Sequence, residues 1–221
     1  MSIKKKSTKK PTVKKTAKIK EPENLVRLNL GSGIVIKKGF INIDLYEPDD
    51  LKHKKGQCKN AIWQKGAEYI KADITEGIPL DDNSVDVVEM FEVLEHMPFR
   101  KVIPTLKEIK RVMKPGAKLL MHMPNFDGLM KDWLEVMTTQ FNADVYIYVM
   151  ETIYGNQLAP GEFHQTAFNP QFLNWCLTQA GFEKGTLSVV PKHKPIPSMG
   201  SEKIAKGTVS RNELLMAEVI K

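Results

Sequence analysis

Short β-rich segments alternate with helical segments along most of this chain, and no other feature constrains the fold as strongly. Strands are predicted at Leu25–Leu30, Phe40–Leu45, Glu68–Ile74, Val85–Phe91, Lys118–Met123, Gly185–Val190 and Leu214–Ile220. Helices are predicted at Pro104–Met113, where apolar residues recur at helical spacing, and at Pro170–Ala180, which Gly181 ends. This alternation predicts an α/β fold with a doubly wound, mostly parallel sheet.

The composition separates a folded domain from a basic arm. The 221 residues are 42% hydrophobic, which is enough to bury a core. Residues 1–20 carry nine lysines and no acidic residue, which leaves 24 basic and 26 acidic side chains in the rest of the chain. The net charge of +7 is therefore a property of the arm. We expect residues 1–22 to be a disordered basic arm and residues 23–221 to form one domain.

The arm has two interpretations, an electrostatic arm for nucleic acid and a solubilising tail, and both stay open. Nucleic acid is a possible partner through this arm only. No apolar run approaches the ~18 residues that a membrane span requires. Two cysteines, Cys58 and Cys176, exclude a disulfide framework and a cysteine-based zinc site. These features predict a soluble, cytoplasmic protein with no membrane partner, and they indicate no oligomeric state.

Residues suited to binding a nucleotide-like ligand follow the first four predicted strands. Gly31-Ser32-Gly33 allows close approach of a ligand to the backbone, and Asp44 is placed to accept hydrogen bonds from ribose hydroxyls. Asp73 and Phe91-Glu92 end the next two strands. Because open α/β sheets bind ligands beyond the carboxyl ends of their strands, these positions should converge on one crevice. Only ten residues separate Gly33 from Asp44, so the first crossover is predicted to be a short loop.

A set of motifs then resembles a known family. LNLGSG, FINIDL, KADI, VDVVEMFEVLEHM and EIKRVMKPGAKLLMHMPN are similar to class I S-adenosylmethionine-dependent methyltransferases, in particular the small type-11-like subgroup with a short glycine-loop connection. The resemblance covers Leu25 to about Asn125, and a weaker similarity extends over Phe163–Phe182. It implies a Rossmann-like sheet of seven strands with a reversed last strand, and S-adenosyl-L-methionine as cofactor. Asn29 stands where many members have an acidic residue.

The resemblance also implies a cofactor site of ten residues. Leu30, Gly31, Ser32 and Gly33 would lie against the amino-acid part and ribose of the cofactor, and Asp44 would bind the ribose hydroxyls. Leu45, Asp73 and Ile74 would surround the adenine, and Phe91 and Glu92 would border the methionine portion.

Two histidines are candidate catalytic residues. His96 follows the fourth strand and is interpreted either as a proton acceptor or as a group hydrogen-bonded within the fold. His164 lies in a polar turn before the last helix, where it would orient an acceptor hydroxyl or take its proton; the alternative is an ordinary surface turn. No H-x-x-x-H or comparable ligand pair occurs, so no metal site is predicted.

Two motifs that the chain lacks narrow the class of methyl acceptor. Asn/Asp-Pro-Pro-aromatic is missing after the fourth strand, and no Pro-Cys pair occurs, which disfavours methylation of nucleobases. The aromatic segment 127–157 is interpreted as a lid or insert over the acceptor, or as a packed helix pair. We expect an S-adenosylmethionine-dependent methyltransferase (EC 2.1.1.-) that acts on an oxygen or nitrogen of a small-molecule or glycan acceptor. The alternative is a non-catalytic member of this fold, a binding or assembly module whose arm binds nucleic acid.

Overall fold

The computed structural model describes residues 25–47, 62–138, 143–157, 161–191 and 213–221, so the predicted basic arm lies outside the described residues. The strands are β1 Arg27–Leu30, β2 Val35–Ile36, β3 Ile41–Asp44, β4 Ile62–Trp63, β5 Glu68–Lys71, β6 Val85–Phe91, β7 Met113–Pro124, β8 Lys184–Pro191 and β9 Glu213–Ile220. The helices are α1 Phe99–Val112, α2 Phe126–Thr138, α3 Ala143–Tyr154 and α4 Pro170–Gln179, and a 3₁₀ turn spans Leu94–His96.

Seven of these strands form one sheet in the order β5-β3-β1-β6-β7-β9-β8. The first five are parallel to one another, whereas β9 runs antiparallel to both β7 and β8. The predicted seven-stranded, mostly parallel sheet with a reversed last strand is confirmed. The chain steps outward from β1 to β3 and β5 and then returns to β6 on the other side of β1, so β1 and β6 flank a topological switch point.

The crossover between β1 and β3 is a loop, as predicted, and it contains the two-residue strand β2, which pairs with β4 in a separate small sheet. Several strand ends differ by one to three residues from the sequence prediction, and two further differences have a clear physical cause. Helix α1 begins at Phe99 and encloses Pro104, because the extra turn buries Val102 completely. Strand β7 begins at Met113, which pairs with Val85 ahead of a register shift.

Among the described residues, the buried apolar side chains of the central strands lie on one face of the sheet. They are alternate residues of β1, β6 and β7, and α1 covers them with the apolar stripe formed by Val102, Leu106, Ile109 and Val112. Helix α4 begins where the side chain of Asn169 accepts a hydrogen bond from the backbone N–H of Phe172 (2.8 Å), with Pro170 in the first turn. Among the described residues, no helix has the length and apolarity needed to cross a membrane.

Glu108 links α1 to the loop before β6 through hydrogen bonds. We expect its removal to lower the free energy of unfolding in a pH-dependent way. Its carboxylate accepts hydrogen bonds from Arg111 and from the backbone N–H of Ile78 (3.0 Å). Arg111, as the main cause, lowers the pKa of Glu108 below its ordinary value. A lowered carboxyl pKa stabilises the fold above the unfolded-state pKa, and this contribution is lost as pH falls through the folded-state pKa.

The variant Glu108→Gln should therefore lose about 1–2 kcal/mol of unfolding free energy at pH 7. The deficit relative to the parent should shrink well below pH ~4, where the parent carboxyl also becomes neutral. Urea unfolding at pH 7 and pH 3 measures both values. Glu76→Gln, which removes an exposed ion pair with Lys101, is the control and should cost clearly less than Glu108→Gln, because solvent screens this pair. An equal Glu108→Gln deficit at both pH values would contradict the argument.

Candidate functional site

The predicted site residues converge at the carboxyl edge of the sheet. The loop Gly31-Ser32-Gly33 leaves β1, Asp44 ends β3, and Phe91 ends β6. The pairing of β1 with both β3 and β6 places these three strand ends side by side at the switch point. Leu30 is fully buried within β1 and lies beneath the glycine loop without exposed surface of its own.

The glycine loop needs its glycines for two reasons. Gly31 and Gly33 have φ values of +60° and +49°, a region that strongly favours glycine. A Cβ on Gly31 would also lie 2.4 Å from a methyl group of Val93, so the loop and the segment after β6 touch at this point. Gly33 has no such neighbour, because the nearest atom to its Cβ would be 4.0 Å away.

The carboxylate of Asp44 joins this loop to β3. One oxygen accepts the backbone N–H of Gly33 (2.7 Å), and the other accepts the backbone N–H of Tyr46 (3.0 Å). The side chain is buried, at 8% exposure, so these charge-assisted bonds are shielded from water. Asp44 therefore shapes the glycine loop besides facing the crevice.

Two buried asparagines, Asn29 and Asn42, support the same loop through hydrogen bonds. Asn29 donates to the carbonyl of Val35 (2.8 Å) and to the side-chain oxygen of Asn42 (2.9 Å). Asn42, fully buried, also accepts the backbone N–H of Lys37 (2.9 Å) and donates to the carbonyl of Glu68 (2.8 Å). Asn29 thus has a structural role at the position where the resembling enzymes often have an acid. Sequence reasoning missed Asn42, whose polar type within a buried strand was the available signal.

Tyr46 follows Asp44 by two residues and is a second residue that the sequence did not reveal. Burial raises the pKa of its hydroxyl, and the charges of Asp44 and Asp73 raise that pKa further, so both carboxylates are near the ring. Asp73 is exposed, and one of its oxygens accepts the N–H of Thr75 (2.9 Å). Leu45 is 47% exposed and available to a ligand, whereas Ile74 is buried in the core.

Phe91 and Glu92 form the far side of the crevice. The ring of Phe91 stacks on His122 with centroids 4.5 Å apart. His122 is half-buried in this stack. Glu92 has φ +55°, a strained value for a non-glycine residue, and its N–H donates to the carbonyl of His122 (2.8 Å). Strain held by a neighbouring strand is typical of functional positions.

The structure brings His96 and His164 together, with ring centroids 4.6 Å apart in an edge-to-face arrangement. The Nδ1–H of His96 donates to the carbonyl of Phe163 (3.2 Å), and the Nδ1–H of His164 donates to the carbonyl of Thr152 (2.8 Å). Burial lowers the pKa of His164, while its bond to Thr152 and the negative charge of Glu92 act in the opposite direction. His164 is half-buried beside His96, and the surface-turn interpretation does not describe it.

Backbone hydrogen bonds hold the two histidine-bearing segments together. The carbonyl of Glu95 accepts the N–H groups of Gln165 (2.7 Å) and Thr166 (3.0 Å). The side chain of Gln165 donates to the carbonyl of His96 (2.8 Å), and that of Thr166 donates to the carbonyl of Met97 (2.7 Å). The histidine arrangement is therefore fixed by the main chain on both sides.

A small pocket opens beside the histidines. Glu95, His164 and Thr152 provide its polar lining, and its apolar lining includes Phe126 and Leu129. These two apolar residues belong to α2, and Thr152 belongs to α3, so the segment predicted as a lid or a helix pair forms two helices that border the pocket. Trp133 and Tyr146 pack between the helices, with ring centroids 5.2 Å apart.

Residues 31–121 match the model of a family described as a methyltransferase domain. A curated relative, an uncharacterised 37.1 kDa protein of a transposon in Streptomyces fradiae, is 33% identical over 84 residues. That match covers 37% of this chain and 24% of the relative, so the chain spans about a quarter of that protein's length.

Solved structures share the fold across almost the whole chain. A SAM-dependent methyltransferase from Archaeoglobus fulgidus has a TM-score of 0.55 at 16% identity and covers 90% of this chain and 87% of its own. One from Methanosarcina mazei has a TM-score of 0.56 at 16% identity, covering 91% and 94%. The 1,6-didemethyltoxoflavin-N1-methyltransferase of Burkholderia thailandensis, solved with its substrate and S-adenosylhomocysteine, has a TM-score of 0.52 at 13% identity, covering 89% and 71%.

Proposed function

We propose that this protein transfers a methyl group to an oxygen or nitrogen of a small-molecule or glycan acceptor, because residues 31–121 match the model of a methyltransferase domain and the chain has the fold of a SAM-dependent methyltransferase. The cofactor is S-adenosylmethionine, as the domain family indicates. The acceptor class and the residues that act on it are the proposed part.

The residues at the switch point fit this cofactor, and this fit is the observation that supports the activity most directly. The Oγ of Ser32 is buried and has no hydrogen-bond partner among the described residues, as expected for a group that a ligand completes. Gly31 and Gly33, both at positive φ, have no side chain to cover the backbone, so a ligand can approach the loop closely. Asp44 presents a carboxylate at the adjoining strand end, where ribose hydroxyls can donate to its remaining lone pairs.

The chain's own contribution to the chemistry is alignment. S-Adenosylmethionine supplies a methyl group on a sulfonium sulfur, which a well-placed nucleophile displaces in line. In our proposal Leu30, Gly31, Ser32 and Gly33 hold the amino-acid part and ribose, and Asp44 fixes the ribose. Leu45 and Asp73 border the adenine, with Ile74 behind them in the core, and Phe91 and Glu92 border the methionine portion. Tyr46, which is near Asp44 and Asp73, joins the adenine side.

We assign the methyl-accepting end of the acceptor to the pocket beside His96 and His164. Both imidazoles lie just beyond Glu92, whose charge reaches His164, so they adjoin the proposed methionine end of the cofactor. The pocket has room for little more than a water molecule in this structure, so we assign the reacting atom of the acceptor to it and not the whole acceptor. His96 and His164 are proposed to orient the acceptor atom that receives the methyl group.

Calorimetric titration of the full chain with S-adenosylhomocysteine tests the cofactor site, and we expect one molecule bound per chain. Incubation with methyl-tritiated S-adenosylmethionine and fractionated cell extract then tests the acceptor class. Label should enter the low-molecular-weight or glycan fraction. Label confined to the protein or nucleic-acid fraction would contradict the proposed acceptor, and a folded protein that binds no S-adenosylhomocysteine would contradict the activity itself.

A further inference from the structure

Three potential metal ligands meet at the acceptor pocket. Glu95, His96 and His164 each offer one ligand atom, and these atoms all lie within 4.8 Å of one another. A divalent ion about 2.0–2.2 Å from each ligand would need only a small contraction of this cluster. We propose that Glu95, His96 and His164 bind a divalent transition-metal ion. The binding itself is independent of the proposed function, and only the role given to the ion below rests on it.

Both imidazoles have the hydrogen-bonding pattern that metal-binding histidines need. A carbonyl oxygen can only accept, so the bonds to Phe163 and Thr152 require Nδ1 of each ring to carry the proton. The lone pair of each neutral ring is therefore on Nε2. A histidine that binds metal almost always donates its other ring N–H to a carbonyl or carboxylate, which fixes the ring and its tautomer. Here two histidines from distant parts of the chain both have this support.

The third ligand is a carboxylate that is buried at the pocket. Glu95 is 2% exposed, yet it lines the pocket shared with His164, so a small ion can reach it. The nearby charge of Glu92 makes the surroundings more negative still and favours a cation. The bonds from Gln165 and Thr166 to the Glu95 carbonyl fix this residue relative to His164 before any ion arrives.

The donor set selects the kind of ion. Two imidazole nitrogens and one carboxylate suit Zn²⁺, Co²⁺, Fe²⁺ or Mn²⁺, whereas Mg²⁺ and Ca²⁺ prefer oxygen ligands. Three protein ligands leave coordination positions open, as in catalytic zinc sites. With a hydroxyl acceptor, the ion would bind the oxygen and promote loss of its proton to solvent. That oxygen would then form the bond to the methyl carbon as the carbon–sulfur electron pair passes to sulfur.

Metal titration of the chelator-treated full chain with Zn²⁺ and Co²⁺ tests the site without any activity assay. One ion should bind per chain, and Co²⁺ should give visible absorption. His96→Asn and His164→Asn keep an N–H donor near the place of Nδ1 and remove Nε2, so they separate ligation from support of the fold. Each should weaken Zn²⁺ binding at least about 100-fold. His122→Asn, which alters a histidine outside the cluster, is the matched control and should bind normally.

The outcomes are distinguishable from those of the proposed function because S-adenosylhomocysteine binding is measured on the same samples. A folded parent that binds S-adenosylhomocysteine but neither metal ion overturns the metal site alone. Metal binding that survives both asparagine variants also overturns it. Metal binding without S-adenosylhomocysteine binding supports the metal site and overturns the proposed function. If an asparagine variant loses its far-ultraviolet circular dichroism, Glu95→Gln replaces it, with the same expected loss.

Discussion

Replacing Gly31 with alanine is expected to destabilise this protein more than any other single change at the cofactor loop. A residue with a Cβ at φ +60° costs about 1–2 kcal/mol. The new Cβ would also lie 2.4 Å and 2.7 Å from the two methyl groups of Val93, and overpacking of this kind costs about 1–3 kcal/mol. The free energy of unfolding without ligand should therefore fall by about 2–5 kcal/mol, a large share of a typical total.

Two further variants isolate the contact with Val93. Gly33→Ala has the same kind of backbone strain but open space around the new Cβ, so its cost should be only about 1–2 kcal/mol. Val93→Ala combined with Gly31→Ala removes both clashing methyl groups and should recover part of the loss. Urea unfolding of the four proteins provides the comparison. Equal losses for the two glycine variants would show that the Val93 contact has no energetic weight.

Replacing Asp44 with alanine should weaken S-adenosylhomocysteine binding about ten- to a hundredfold, because a charge-assisted hydrogen bond is worth about 1.5–3 kcal/mol. The structure adds a second route to the same loss, since Asp44 also holds the N–H groups of Gly33 and Tyr46. A variant that loses affinity therefore does not by itself prove contact with the ribose.

A double cycle with a modified ligand separates the two routes. The parent and Asp44→Ala are each titrated with S-adenosylhomocysteine and with its 2′-deoxyribose analogue. If Asp44 binds the ribose hydroxyls, the parent should discriminate between the ligands and the variant should not. The idea that Asp44 binds ribose is falsified if Asp44→Ala lowers the affinity for both ligands by the same factor. Asp44 would then act only through the glycine loop.

The strand pattern was readable from the sequence because burial repeats along each strand. Val85–Phe91 has the same bounds in the structure as in the prediction, and Asp44 ends its strand. The ends of α1 and β7 were not readable, since burial of Val102 and pairing of Met113 with Val85 depend on neighbours far along the chain. The family resemblance supplied what local pattern lacks, namely the reversal of the last strand.

The sequence by itself determined that Gly31, Asp44 and Phe91 would share one edge, because the carboxyl ends of parallel strands meet there. Only the tertiary structure decided that His164 would join Glu95 and His96, and the search for closely spaced ligand pairs predicted no metal site. The two segments are joined by backbone hydrogen bonds between irregular stretches, which have no periodicity for a sequence to display. Strand faces are encoded locally, whereas contacts between loops depend on how the completed sheet brings its connections together.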